Sequence, residues 1–380
     1  MARITAMDDK PRPPTLAETG KQPDAARRFR PPHWWLMLAL TYSVAAAAGF
    51  VAKAVNMPLP FMLGPFFVMA ALSVLGFRSV LAPMGRELGQ VAIGVAVGMR
   101  FTPAVLAAMT GLLPAMVLGT IYVVIFTMAA AFLFKPLAKV DDITAFFATA
   151  AGGVADMATV AKDYGGAAGS VAVVHAMRVS GVVALVPFLV VLFGEPGNAP
   201  DSAAVDSHWA LVIVTLALGY LMARLLKPTP LPNPWLVGPI FMGIIIGVLG
   251  LYSVRIPSLL ISIAQIMLGT WLGCQFKRDL LAALPRVTLA ALIISLFMIG
   301  CAAVGAVVLT LTTGLPYPTS FLSLAPAAVT EMVVTAQVMH LEAEVVTAFH
   351  VTRIAVVSST VLIVFKFYLR LKGGSIEPGI

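Results

Sequence analysis

Apolar residues fill this chain in long unbroken runs. The runs cover roughly 34–55, 59–77, 84–101, 105–134 and 168–193, then 209–226, 234–253, 257–276, 280–312 and 345–370. A helix needs about 20 mostly apolar residues to cross a bilayer, so the pattern predicts an all-α polytopic membrane protein with about ten transmembrane helices. Two further apolar segments, 144–163 and 319–340, are interrupted near one third of their length by small or helix-breaking residues. Each arm of such a segment reaches only about 10–15 Å at ~1.5 Å per residue, half the hydrocarbon core. These two segments are expected to be re-entrant or broken-helix hairpins.

The two interruptions are related. The first reads Ala150-Ala151-Gly152-Gly153-Val154-Ala155-Asp156-Met157, and 175 positions later the second reads Ala325-Pro326-Ala327-Ala328-Val329-Thr330-Glu331-Met332. The same offset pairs Gln90 with Gln265, Gly94 with Gly269, Gly98 with Gly273, Phe101 with Phe276, Thr144 with Thr319, His175 with His350 and Arg178 with Arg353. A gap-free register of this length identifies a tandem duplication. It divides the chain into a disordered basic cytoplasmic tail (1–32), a first membrane repeat (33–193), an external linker (194–208), a second membrane repeat (209–371) and a C-terminal tail (372–380).

Charge sets the topology. Cytoplasmic loops carry the Lys/Arg excess. With the basic tail inside and the two hairpins not crossing, the inside loops hold Arg78 and Arg86, Lys135 and Lys139, Lys162, Arg224 and Lys227, Lys277 to Arg286, and Lys366 to Lys372. The outside loops then hold Lys53, Arg100, the acidic linker with Glu195, Asp201 and Asp206, Arg255, and Glu342 with Glu344. Five crossings per repeat is an odd number, so the second copy is inserted upside down relative to the first. Inverted-topology duplication is a recurring plan of secondary transporters. Both termini are expected to be cytoplasmic, in the cytoplasmic membrane.

Composition agrees: 60% of residues are hydrophobic and 11% charged, against about a quarter charged in soluble domains. Cys274 and Cys301 lie in apolar runs and form no metal spacing or disulfide framework. The five histidines show no metal-ligand spacing, and there is no phosphate loop, serine elbow or dinucleotide fingerprint. The residues therefore point to no cofactor, no metal and no enzyme, and no recognition module follows the basic tail to bind nucleic acid.

The candidate site residues follow from the interruptions. A carboxylate near the bilayer centre costs at least ~3 kcal/mol and is a functional hypothesis by default, which singles out Asp156 and Glu331 to bind a coupling cation or proton. Their other reading is an acid in the first turn of a restarting helix, opposing its dipole. Gly152, Gly153, Pro326 and Ala327 form the breaks and let backbone approach a ligand. Thr149 and Thr330 offer hydroxyls. His175 and His350 sit three residues before Arg178 and Arg353, on one helical face. Either each arginine neutralises the acid of its own motif, or the two receive an anionic solute. The histidines are proton relays or satisfied core residues. The glycines spaced by four after Gln90 and Gln265 read as helix-packing positions, and Gly64-Pro65 and Gly238-Pro239 as kinks around a cavity.

The Ala-Gly-Gly-Val-Ala-Asp-Met motif, with Thr144-Ala-Phe-Phe before it and His175-Ala-Met-Arg178 after it, resembles the AbrB membrane-protein family. Nearly everything after about residue 34 takes part. That family is internally duplicated and includes proteins described as regulators of aidB or as "ammonia monooxygenase". Its motif is similar to Pro-Gly-Gly-x-x-Glu-Met. Here Ala151 and Asp156 replace Pro and Glu in the first copy, and Ala327-Ala328 replace the glycines in the second. The resemblance implies a membrane regulator affecting gene expression, or less readily an oxygenase, for which no copper or iron ligands are offered. The residues themselves point to a secondary transporter of a small, anionic solute, coupled to H⁺ or Na⁺ by alternating access. Its partners would be the solute or ion and the bilayer, with a homo-oligomer left open.

Overall fold

The computed structural model describes residues 33–193 and 208–371, apart from 230, 232, 277, 279–281 and 283. The tail 1–32, the linker 194–207 and the tail 372–380 lie outside the described residues. Fourteen helices and no strand are found among those described. They are α1 (Trp34–Ala54), α2 (Pro60–Val74), α3 (Gly85–Gly98), α4 (Pro103–Ala138), α5 (Asp142–Thr149), α6 (Val154–Asp163) and α7 (Ala168–Phe193). After the linker come α8 (Trp209–Leu226), α9 (Pro234–Leu249), α10 (Ser258–Gly273), α11 (Pro285–Thr313), α12 (Tyr317–Leu324), α13 (Val329–Val338) and α14 (Ala343–Leu371).

The architecture is that of a multi-pass membrane protein. Six helices (α1, α4, α7, α8, α11 and α14) are long and apolar enough to cross a bilayer. α2, α9 and α10 are equally apolar but only 15–16 residues long. α1 and α8 turn large side chains such as Leu36, Phe50, Ile213 and Leu225 outward, which in this setting means toward lipid. Helix starts follow local chemistry: Pro60, Pro103, Pro234 and Pro285 occupy first-turn positions where the missing N–H costs nothing. Asp141 caps α5 by accepting from the Thr144 N–H at 2.7 Å.

The packing does not divide where the sequence halves do. α1–α3 and α8–α10 pack among themselves, as do α4–α7 and α11–α14. Each half of the chain contributes three helices to the first bundle and four to the second. α3 reaches across the seam, against α13 and α14.

Glycines set the first bundle. A Cβ on Gly94 would lie 2.7 Å from the Leu236 carbonyl oxygen, and one on Gly98 would lie 2.6 Å from that of Ile240. On α10, Gly269 meets the Met62 carbonyl and Gly273 that of Phe66, where a Cβ would lie 2.6 Å away. Both ladders are helix packing through small residues. Their partners advance together, four residues for four, so α3 runs parallel to α9 and α10 parallel to α2. Beside the kinks expected at Gly64-Pro65 and Gly238-Pro239, the two glycines have a packing role. Gly64 lies against the backbone of Ala48 and Gly238 against that of Ala223, within the continuous helices α2 and α9.

Gly98→Val and Gly273→Val should each lower the melting temperature of the purified protein, by roughly 1–3 kcal/mol of overpacking. Gly300→Val, where a Cβ meets nothing within 4 Å, should leave it nearly unchanged. Equal melting of all three variants would remove the glycine ladders from the account.

Candidate functional site at the two helix breaks

Each interrupted segment is two short helices with an extended turn between them. Gly153 and Ala328 take the extended conformation before α6 and α13, at φ/ψ of −67/141° and −72/149°. Such a break leaves the last carbonyls of α5 and α12, and the first N–H groups of α6 and α13, without helical partners.

The His-x-x-Arg pairs of α7 and α14 meet the carbonyl ends. Arg178 donates from Nη1 to the carbonyls of Thr149 (3.1 Å) and Ala150 (2.9 Å), and its Nη2 lies 3.0 Å from His175 Nδ1. Arg353 donates to the carbonyls of Ala325 and Ala327, both at 2.8 Å. His175 Nε2 sits 2.9 Å from the Phe147 carbonyl, and His350 Nε2 2.9 Å from that of Leu322. All four side chains are buried. A guanidinium on the carbonyl end of a helix satisfies orphan acceptors and opposes the negative end of the dipole. Neither reading of the arginines from sequence describes this arrangement. They are matched to main chain and not to the motif acids, and the two ion pairs among the described residues, Arg100–Glu344 and Lys135–Asp142, lie elsewhere.

The same contacts fix direction. From His175 to Arg178 the partner moves from Phe147 to Ala150, and from His350 to Arg353 it moves from Leu322 to Ala325. Partners that advance together mean that α5 runs parallel to α7, and α12 parallel to α14. Each interrupted segment therefore turns back toward its starting end. In the first, the Ala167 N–H after α6 donates to Thr144 Oγ1 at the start of α5, at 2.8 Å.

The acids occupy the amide ends, in the first turns of α6 and α13, and their settings differ. Asp156 is exposed, and its carboxylate folds back over Gly153, where a Cβ would lie 2.6 Å from Oδ2. Glu331 is 6% exposed, and its Oε2 has no hydrogen-bond partner. Gly153 is exposed, whereas Pro326 and Ala327 are buried. The Thr149 hydroxyl donates back to the carbonyls of Ala145 and Phe146, so it is spent within its own helix.

Thr330 is engaged across the seam. Its buried Oγ1 accepts from Gln90 Nε2 of α3 at 3.1 Å and from Asn233 Nδ2, just before α9, at 3.2 Å. Arg86, one turn before Gln90, stacks on Trp271 of α10 at 4.1 Å and lies within electrostatic range of Glu331. Arg86, Gln90 and Asn233 were not read as site residues from sequence. The available signal was a mismatch between the copies: Ala155 stands where the second copy has Thr330, and Leu59 holds the left-handed position that Asn233 holds before α9.

At the turn before α14, burial and the neighbouring Glu344 push the Glu342 carboxyl above its ordinary value of 4.5. Nearby, Arg100 at the far end of α3 approaches Glu344 at 3.9 Å.

Comparison with known proteins places the chain. The family model described as "Transition state regulatory protein AbrB" matches residues 73–369. An uncharacterized protein of Bacillus subtilis (strain 168), YhjN, is 24% identical over 343 residues, covering 83% of this chain and 88% of that protein.

If the arginines cap carbonyls, Arg353→Gln should lose stability by roughly 2–4 kcal/mol, as two charge-assisted hydrogen bonds are removed, and Arg353→Lys should recover part of it. An unchanged melting temperature would return the arginine to the ligand-binding reading. A second expectation concerns pH. A carboxyl raised in the fold binds its proton more tightly there than in the unfolded chain, so its contribution to stability falls as pH rises through and above 4.5. Glu342→Gln should raise the melting temperature near neutral pH and have no effect near pH ~4; equal shifts at both would contradict it.

Proposed function

The chain belongs to the AbrB family, and from that premise we propose that it is a secondary transporter of a small solute, working by alternating access and coupled to H⁺ or Na⁺. In this reading ten helices span the inner membrane, the two interrupted segments are re-entrant hairpins, and both termini are cytoplasmic. The protein is a carrier and not an enzyme.

The observation that carries the proposal is the unequal exposure of two related hairpins. Asp156 and Gly153 at the first break are exposed, whereas Glu331, Thr330 and Ala327 at the second are closed under α3. Charge puts the base of the first hairpin inside and that of the second outside. One hairpin open and its counterpart shut is what one end state of an alternating-access cycle requires. Irregular backbone at membrane depth is tolerated where it is buried in protein or lines a watery cavity; the second break is buried in protein, and this reading gives the exposed first break a watery cavity to line.

Inversion of the repeats has support from helix direction. α9 stands in the second half where α2 stands in the first, and α10 where α3 stands. With α2 and α3 antiparallel in successive crossings, α9 parallel to α3 requires the second half to run the other way. Helix bounds support the repeat itself, since α12 and α13 start and end 175 positions after α5 and α6.

For the solute, the guanidiniums argue less for an anion, because their Nη groups are engaged by carbonyls and, for Arg178, by His175, and only the buried Nε–H of each has no partner. The N-termini of α6 and α13 favour negative charge, but Asp156 and Glu331 already supply it there, so an anionic solute rests on those two Nε–H groups alone. The word "regulatory" in the family's description is compatible with an indirect effect of transport on gene expression.

The test is a stability screen of the purified protein against small organic acids, amino acids and ammonium. A ligand at ~100 times its dissociation constant should stabilise by roughly 2.7 kcal/mol. We expect a solute-specific shift that is lost in Asp156→Asn or Glu331→Gln. No shift with any solute, together with a gene-expression effect that disappears on deleting residues 1–32, would favour a membrane sensor instead.

A further inference from the structure

The two hairpins are not equivalent, and the difference is chemical. The second carries a buried carboxylate with a free oxygen, and the hydroxyl beside it is held by two amides from the opposite bundle. The first has Asp156 exposed and, in sequence, alanine and leucine at the positions matching Thr330 and Asn233. Gln265, the counterpart of Gln90, is also buried, and its Oε1 has no partner.

A lone buried carboxylate is too costly to leave ionised without a partner. Each element packed against α13 brings charged or titratable groups, and most are already engaged. On α14, Arg353 and His350 face the carbonyls of Ala325, Ala327 and Leu322, and Glu344 faces Arg100. On α7, Arg178 and His175 face Thr149, Ala150 and Phe147. α12 contributes only Tyr317 at its distant end. α3 contributes Glu87 and Arg86, and Arg86 is stacked on Trp271. Glu331 forms no ion pair with any of them.

Glu331 is therefore compensated by a small cation, and the neighbouring groups discriminate between candidates. Hard metal cations need several converging oxygens. Here Gln90 and Asn233 turn their nitrogens to Thr330, and both bonds end on its oxygen. Both amides thus spend their donors on the Thr330 oxygen, and no set of oxygens converging on the free Oε2 of Glu331 is found among the described residues to hold Na⁺. A proton needs only the one free oxygen.

We propose that the coupling ion is a proton, carried by Glu331 of the second hairpin, and that Gln90 and Asn233 latch the protonated hairpin against the first bundle through Thr330. The assignment rests on the transporter reading above and deepens it. In the cycle, the proton is held while the hairpin is docked and Glu331 is dry. It leaves when the hairpin opens and the carboxylate meets water. Docking is therefore favoured at low pH and lost as pH rises, because the docked state binds the proton more tightly than the open one. Asp156, already exposed, has no counterpart of this latch.

The test needs no solute. In the full-length protein with Cys274 and Cys301 replaced by Ser, the buried Ala327 is changed to Cys as a reporter. Its labelling rate by a hydrophilic maleimide is measured in liposomes permeabilised to the reagent. Each rate is divided by that of the same protein in SDS at the same pH, which removes the thiol's own ionisation. Labelling should rise with pH by up to about tenfold per unit, the limit for one linked proton, and Na⁺ at constant ionic strength should not change it. Adding Glu331→Gln should give slow, pH-independent labelling. Adding Gln90→Leu, which keeps the carboxylate, should move the opening to lower pH, and it serves where the glutamine variant does not fold. A wild-type pH profile in Glu331→Gln, an unshifted profile in Gln90→Leu, or protection by Na⁺ in place of protons would each overturn the assignment. Proton-linked protection in a protein that binds no solute would sink the transporter and leave the proton site. Solute binding with labelling indifferent to pH would do the reverse.

Discussion

A helix that stops inside a packed apolar bundle must have its free ends satisfied from elsewhere, and this fold is built around that requirement. Water supplies the missing partners in a soluble protein, but hydrocarbon cannot. Arg178 and Arg353 reach the carbonyl ends of the breaks, and Asp156 and Glu331 occupy the amide ends. Each break thus has a cation where the dipole is negative and an acid where it is positive. The histidine one turn before each arginine repeats the contact one turn deeper in the short helix. The hairpin, the helix that follows it and their parallel course form one unit, because an arginine can serve those carbonyls only if the following helix enters from the same end.

Once both breaks are stabilised in the same way, what distinguishes the two copies becomes informative. Capping is common to both, so it accounts for the residues they share. The residues they do not share lie together on one side of the second hairpin: Thr330, Asn233, and Arg86 on its tryptophan. The two interrupted segments are built alike, and a polar cluster on only one of them has no structural need to answer. It costs burial of an unpartnered carboxylate oxygen, which a purely architectural role would have replaced by an amide or an apolar group.

Much of the architecture was legible in the sequence because apolar run length and a 175-residue register are both local readings. The interrupted segments, their bounds and the packing role of the Gln90 and Gln265 glycines could be found that way. The destination of Arg178 and Arg353 could not. The only acceptors visible in sequence are side chains, so the nearby acids looked like the natural partners, whereas the carbonyls freed by a break carry no letter. Gln90 was visible only as one of a matched pair, which pointed to packing. Its contact with Thr330 spans 240 positions and belongs to neither repeat alone. The division into bundles was hidden for the same reason, since it cuts across the order of the chain.

That division also bears on which surfaces can move. In the first bundle, backbone lies directly on glycine at Gly94, Gly98, Gly269 and Gly273. Interlocked contacts of this kind have no intermediate register, because a shift of one residue would drive a side chain into a carbonyl. The seam between bundles is different. Its described polar links are side-chain contacts: the two amides on Thr330, and the Arg100–Glu344 pair at 3.9 Å and partly exposed. An ion pair of that length and exposure contributes about 0–1 kcal/mol, and a neutral hydrogen bond about 1 kcal/mol. Links of that size can be broken and remade on a functional timescale, while the glycine ladders and the arginine caps hold each bundle intact. Two of those links are the amides on Thr330, the residue before Glu331, so a change in the charge of Glu331 acts directly beside contacts that hold the seam.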